Sequence, residues 1–464
     1  MQQSPRAHWA SKIGFILAAT GSAVGLGNLW KFPYITWHNH GGAFVIIYLI
    51  SVVIIGWPIM MAEVLIGRKT QESPVPAFEM IGSKSWSIVG WLGVLTGFVI
   101  LGYYSVIAGW TITSFISCIK WSFAGYVKPP DTAFSDFISN GPLQLLLAFI
   151  FSAGTAIIIW RGINKGIEKT TKVLMPVLFL ILIYLVIMVM FLPGKYETFR
   201  FLFRPNFGQL PWEGVLEAVG HAFFTLSLGM GVMITYGSYM SKRESISINS
   251  SMVVFFDTFV AICACIIMYT IIFSVPSVAE SISGSTVGML FITLPNLLYT
   301  YIPFGPVIAP IFYILVAFAA LSSTISLLEV IVALFIDKMG IKRHTATFIG
   351  AGLAYVVSIF SALSLGAVGF LSNWSLFGPG KEGVLSTLDH LAANWMLPVG
   401  GLLITIFVGW KLDKKISEEE LGLYDENGNP TLTYKLFRFF IRYTAPIAIL
   451  AVILAVIFLG KDFS

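Results

Sequence analysis

Apolar residues fall into long uncharged runs separated by short polar connections. Eleven runs approach or exceed the ~20 residues a membrane-spanning helix needs: 11–37, 41–67, 87–123, 142–160, 170–192, 213–240, 246–275, 306–336, 345–364, 385–411 and 437–459. Val and Ile are frequent in them, but uncharged length favours helices over a β-barrel, whose strands alternate over about 10 residues. Stretch 278–303 is apolar yet broken by Ser, Gly and Pro, and reads as an external loop that packs on the protein as short helices. The polar run Asp413–Pro430 reads as a solvated linker without chemistry of its own.

Composition narrows the class. Of 464 residues, 57% are hydrophobic and 11% charged, with a mean hydropathy of +0.85; soluble domains carry about 25% charge. A soluble enzyme, a nucleic-acid-binding module and a disordered scaffold are excluded. Cys118, Cys263 and Cys265 sit in apolar runs and imply neither a disulfide framework nor a metal site. Met1–Lys12 leads straight into the first run with no A-x-A cleavage site, so no removed signal peptide is expected. With the amino terminus inside, 20 of the 28 Lys and Arg residues lie inside and 8 outside. This bias places the amino terminus in the cytoplasm and, after eleven spans, the carboxy terminus outside.

Two runs are interrupted alike. The first reads TGSAVGLGNLWKFP, with Gly21, Gly25, Gly27 and then Asn28; the sixth reads FFTLSLGMGVMITYG, with Gly229 and Gly231 around Met230. Each mid-helix glycine costs about 1 kcal/mol relative to Ala, and freed backbone groups are tolerated at that depth only where they line a cavity or bind something. Close helix packing through small residues is the alternative. The breaks open a first and a second set of five runs, which points to two inverted repeats with a midplane site. Ionisable residues inside runs, Glu63, Asp257 and Glu329, are functional candidates by default. Glu63 has an equal structural reading as a partner for broken backbone, and Glu329 reads more simply as a side chain wetted by a cavity.

Together these residues resemble the neurotransmitter:sodium symporter family, in the bacterial branch that carries hydrophobic amino acids. GSAVGLGNLWKFP and FFTLSLGMG bear the resemblance, which covers spans one to ten; the twelfth span of many members has no counterpart. It implies an all-α polytopic membrane protein of the five-plus-five inverted-repeat fold, with about 11 transmembrane helices, the first and sixth unwound. The chain would be one transporter domain over 1–464: a first repeat at 11–192, a second at 213–411 and an eleventh helix at 437–459.

The family's site carries over by motif. One sodium would take the Ala23 carbonyl, Asn28, Thr225 and Asp257; a second would take the carbonyls of Gly21, Val24 and Ala319 with the hydroxyls of Ser322 and Ser323. The substrate carboxylate would meet the N–H groups of Leu26 and Gly27 beside Gly25, and the Tyr104 hydroxyl. The amine would meet carbonyls of Ala23, Phe224, Thr225 and Ser227, while Ile100, Phe224, Met230 and Leu327 would line the side-chain pocket. The outer gate would pair Lys31, where the family usually has Arg, with Asp389. The inner gate would pair Arg6 with Asp337, near Ser238 and Tyr239 with Trp9 beneath. Glu329 stands for a Gln, and His221 for the Gln that helps hold chloride in eukaryotic members. Asp257 falls on the sodium-ligating Asn of relatives; the position of the carboxylate that replaces chloride in other bacterial members is Ala261, one helical turn on. The segment Gly166–Pro176 fits the Gly-x9-Pro signature of the fifth span, which unwinds in a relative.

The expected activity is sodium-coupled symport of neutral hydrophobic L-amino acids, chloride-independent, by alternating access in a bacterial plasma (inner) membrane. Two sodium ions, the amino acid and the lipid bilayer are the partners, and nucleic acid is not. No nucleophile–base constellation suggests an enzyme. A proton-coupled transporter of the same plan and an amino acid sensor that does not transport remain the competing readings.

Overall fold

The structure, a computed structural model, describes residues 7–130, 132–275, 288–426 and 428–462. Among these residues regular structure is helical, apart from one isolated bridge between Tyr424 and Pro430. Among the described residues, nine helices are long and apolar enough to cross a bilayer unaided: Gly42–Thr70, Lys84–Ala124, Gly141–Trp160, Ile163–Val189, Ile246–Phe273, Gly305–Met339, Arg343–Leu363, Val384–Lys411 and Leu432–Leu459. A tenth is a bent pair, Lys12–Ala23 and Gly27–His38, set at 51°. The remaining run resolves into two half-helices, Trp212–Thr225 and Val232–Ser238, neither of spanning length. The eleven uniform spans read from the sequence are therefore nine unbroken helices and two broken elements, numbered 1 to 11 below, and the broken ones open each set of five.

Helix ends follow local chemistry. Ser11, Asn140 and Ser245 accept hydrogen bonds from the first-turn amides of spans 1, 4 and 7. Gly340, at φ +66°, ends span 8 in the left-handed conformation that suits glycine. Span 5 begins at Ile163, before the expected 170, because a π-turn over Ile163–Glu168 carries the helix back through the charged segment. The Gly166–Pro176 signature is thus wound throughout here. Span 11 likewise begins at Leu432, since the Leu432–Phe439 turns bury Tyr434 and Phe437 while keeping a polar face.

Span 2 packs closely on the second half of span 6. A side chain at Gly67 would strike the Ile234 carbonyl, and one at Gly237 would come within 2.7 Å of the Val64 carbonyl. Small residues let such backbones approach where lipid offers no hydrophobic drive for helices to associate.

One expectation for the connections changes, and another is met in its described part. The run Asp413–Pro430 is anchored: its helix Lys414–Leu421 presents Glu420 to Arg68 at the end of span 2, with Nε 2.8 Å from Oε2 and both side chains buried. Arg68 also donates to the Glu244 carbonyl at 2.5 Å and to the Glu420 carbonyl. A buried guanidinium needs such partners, and the acidic run supplies them. In the stretch 278–303, residues 278–287 lie outside the described residues; the remainder forms the short helical pieces expected, a π-turn, Met289–Thr293, and a helix, Leu294–Tyr301.

Candidate functional site

Span 1 loses its helix after Ala23, where Val24 turns extended (φ −72°, ψ 101°). The freed groups find partners at once. The Gly25 amide donates to Asn28 Oδ1 at 3.0 Å and the Leu26 amide to the Tyr104 hydroxyl at 3.2 Å, while the Ser22 carbonyl accepts from Ser227 Oγ at 2.9 Å. Span 6 breaks over residues 226–231, with Ser227, Gly229 and Gly231 at positive φ. There Glu63 Oε1 accepts the Gly229 amide at 2.7 Å. Of the two readings of Glu63, the geometry favours the partner of broken backbone.

Where the breaks meet the neighbouring helices there is little room for a side chain. A Cβ on Gly25 would sit 2.7 Å from Ser323 Oγ and 3.3 Å from the Tyr104 hydroxyl; one on Gly27 would lie 3.3 Å from the Phe224 ring. The two breaks thereby enclose one small cavity. Its wall includes Ala23, Gly25, Leu26, Gly27, Ile100, Tyr104, Phe224, Thr225, Ser227, Met230, Ser323 and Leu327, together with Ser22 and Ser326. The resemblance named all but the last two. Ser326 has a signal in hindsight: it stands three and four residues after Ser323 and Ser322, on the same helical face. Ser22 Oγ lies 2.7 Å from Ser326 Oγ and 3.1 Å from Ser227 Oγ, within hydrogen-bonding reach of both, tying spans 1, 6 and 8 together.

Beside the cavity, Asp257 of span 7 is fully buried. Its Oδ1 accepts from Asn28 Nδ2 at 2.7 Å and Thr225 Oγ1 at 2.9 Å, and its Oδ2 from the Tyr48 hydroxyl at 3.4 Å. Tyr48 carried no sequence signal, being one aromatic in an apolar run. One carboxylate among neutral oxygens suits a hard monovalent cation; among the described residues no cluster of three His, Cys, Asp or Glu would suit a transition metal. On the other side of the break, Ser322 Oγ and Ser323 Oγ lie 2.9 and 3.3 Å from the Ala319 carbonyl, and a Cβ on Gly21 would be 3.1 Å from Ser322 Cβ. Gly21, Ala319, Ser322 and Ser323 thus meet, with Val24 at the turn. His221 is buried and stacks on Phe32, centroids 5.3 Å apart, and neither ring nitrogen has a hydrogen-bond partner among the described residues.

The gates are partly described. Lys31 Nζ lies 4.9 Å above the ring of Phe224, one of the cavity's wall residues, and feels the charge of Asp389. Arg6 lies outside the described residues. Its expected partner Asp337 accepts the Ser73 amide at 2.8 Å. Trp9 is buried: its amide donates to the Tyr239 carbonyl and its indole to the Tyr236 carbonyl, both at 3.0 Å. Glu168 of span 5 accepts from the Ala10 amide at 2.8 Å and from Ser11 Oγ at 3.1 Å. The amino-terminal end of span 1 is shut against the bundle. Glu329 corrects the sequence reading: it is a buried ion-pair partner, not a cavity-wetted carboxylate. Arg343 meets it twice, at 2.8 and 2.6 Å, and the Tyr239 hydroxyl donates to it at 2.8 Å.

A family profile described as the Sodium:neurotransmitter symporter family matches residues 6–127 and 132–461. An uncharacterized sodium-dependent transporter, YhdH of Bacillus subtilis, is 35% identical over 98% of this chain and 99% of its own length. Another, from Haemophilus influenzae, is 30% identical over 98% of each. The crystal structure of MhsT in complex with L-phenylalanine superposes with a TM-score of 0.86 at 39% identity, covering 97% of this chain and 99% of that one.

Proposed function

The chain belongs to the Sodium:neurotransmitter symporter family, and from that premise we propose that it carries neutral hydrophobic L-amino acids with two sodium ions, without chloride. Members of this family are sodium-coupled membrane transporters rather than enzymes. The observation that carries the substrate class is the cavity between the two breaks. Ile100, Phe224, Met230 and Leu327 give it an uncharged side-chain wall, opposite backbone groups and hydroxyls fit for a carboxylate and an amine. A charged side chain would be buried there unpaired at high cost, whereas Met230 can repack around aliphatic and aromatic shapes. MhsT, which was crystallised with L-phenylalanine, supports this reading.

In this reading Asn28, Thr225, Asp257 and the Ala23 carbonyl hold one sodium, and Gly21, Val24, Ala319, Ser322 and Ser323 the other. Each charge moved inward gains about 2.3 kcal/mol per 100 mV of membrane potential. Lys31 with Asp389 closes the outer side; Asp337 with Arg6, above Trp9 and Tyr239, closes the cytoplasmic side. The repeats run over 11–192 and 213–411, and the membrane is the bacterial plasma membrane with the amino terminus inside.

The test is uptake of labelled leucine and phenylalanine into proteoliposomes under an inward sodium gradient. Sodium-driven accumulation, competed by tryptophan and leucine but not by lysine, arginine, aspartate or glutamate, is expected. Lysine competing as well as leucine would overturn the substrate class, and sodium-dependent binding without flux would overturn transport. A second expectation concerns the ion sites. Ser322→Ala and Ser323→Ala each remove one hydroxyl ligand, a loss of about 1 kcal/mol that raises the sodium concentration for half-maximal uptake roughly fivefold. Unchanged sodium dependence in the double variant would place the second ion elsewhere.

A further inference from the structure

The connection between spans 5 and 6 contains the helix Lys195–Phe203, which buries Thr198 and Leu202 on one side. Its other side is aromatic: Tyr196, Phe199, Phe203 and, just beyond, Phe207 are exposed by 75%, 44%, 53% and 56%. Positions 196, 199 and 203 fall on one face of the helix. The helix sits between the end of span 5 and Trp212 at the start of span 6, hence at the level where aromatic side chains collect at a membrane–water boundary.

A groove of about 600 Å³ opens beside this face, and its wall includes Arg200, Arg204, His40, Asn206, Gln209 and Glu197. Arg200 reaches Glu197 only at 4.0 Å, with both side chains exposed. Arg204, one turn on, and His40 have no ion-pair partner among the described residues. Two guanidiniums set against one carboxylate, with amide groups beside them and an apolar face alongside, match an anionic headgroup whose acyl chains continue into the bilayer.

We propose that this groove holds the phosphate of an anionic phospholipid, while the aromatic face of Lys195–Phe203 lies in the headgroup layer. The site bears on the transport helices. His40 and Gly41, at φ +59° and +84°, form the turn that leaves broken span 1. A side chain at Gly41 would strike the Phe201 carbonyl, and one at Gly42 would come within 2.8 Å of the Leu202 carbonyl. A lipid in the groove therefore braces the outer half of span 1 through the backbone of the loop helix.

The experiment compares the full chain with Arg200→Gln/Arg204→Gln, and with Arg200→Lys/Arg204→Lys as the variant that keeps the charge. Native mass spectrometry counts retained phosphatidylglycerol against phosphatidylcholine. Uptake is measured in vesicles of phosphatidylcholine alone and in vesicles containing phosphatidylglycerol. The wild type is expected to retain one more phosphatidylglycerol than the Gln variant and to gain several-fold in rate when that lipid is present. The Gln variant should run at the phosphatidylcholine rate in both vesicles, and the Lys variant should recover part of the gain. Equal retention and equal lipid dependence in wild type and Gln variant would overturn the proposal. Displacement of phosphatidylglycerol by millimolar inorganic phosphate would also overturn it, by marking a free-anion site.

Discussion

Asp257→Asn is expected to cut sodium-driven uptake in chloride-free medium roughly a hundredfold, the equivalent of about 3 kcal/mol, while leaving the fold intact. The wild type should be indifferent to replacement of chloride by gluconate. Asp257 is buried, and the groups that hydrogen-bond it, Asn28, Thr225 and Tyr48, are neutral donors. In the proposed reading the charge that balances it in this low-dielectric place is the transported cation, and opposite charges a few ångströms apart favour one another strongly there. Asparagine keeps the shape and loses the charge, so binding of the first sodium should weaken unless chloride takes over the role. Partial recovery of the variant by chloride would be the signature. Wild-type uptake that collapses in gluconate, or a fully active variant in gluconate, would show that the carboxylate does not supply the balancing charge.

Glu329→Ala should be the most destabilising single change at the end of the bundle that holds Trp9, costing about 3–5 kcal/mol and lowering the apparent unfolding temperature of the purified protein. Glu329 is fully buried and joins three elements: Arg343 at the head of span 9, the Tyr239 hydroxyl after span 6, and span 8 itself. Arg343 also donates to the Ile159 carbonyl at the end of span 4, at 3.2 Å. Without the carboxylate a largely buried guanidinium loses its counter-charge. Replacing both partners, Glu329→Met with Arg343→Leu, should recover most of the loss, because an apolar pair has no charge to desolvate. A Glu329→Ala protein that melts with the wild type would refute the structural role.

The spans were legible because lipid leaves only uncharged length to read, and the breaks because clustered glycines rarely sit mid-helix without cause. Pairings across the bundle were far less legible. Arg343 precedes an apolar run, where a charge reads as a topology marker, and nothing in its spacing from Glu329 announces a bidentate contact. Glu420 lies in a polar run where any one carboxylate looks as solvated as the next, until Arg68 is seen to need it. Ser227, a non-glycine residue at φ +54°, is held left-handed by its surroundings rather than by its own preference. The cavity residues emerged from the sequence through motif resemblance; Ser22, Ser326 and Tyr48 needed coordinates.

The bend in span 1 also sets a mechanical ratio. Lys12–Ala23 is a rod of 12 residues, about 18 Å long at 1.5 Å per residue, and its joint to the rest of span 1 is at Val24, next to both proposed ion sites. Its far end carries Trp9 and the contacts of Ala10 and Ser11 with Glu168. A lever of that length turns a few degrees of rotation at the fulcrum into a displacement of an ångström or more at Trp9, enough to break hydrogen bonds that tolerate only tenths. In the proposed transport cycle, ligands too small to touch the contacts at Trp9 would thus operate them, because the stiffness of one short helix carries the motion and the glycines confine it to one joint.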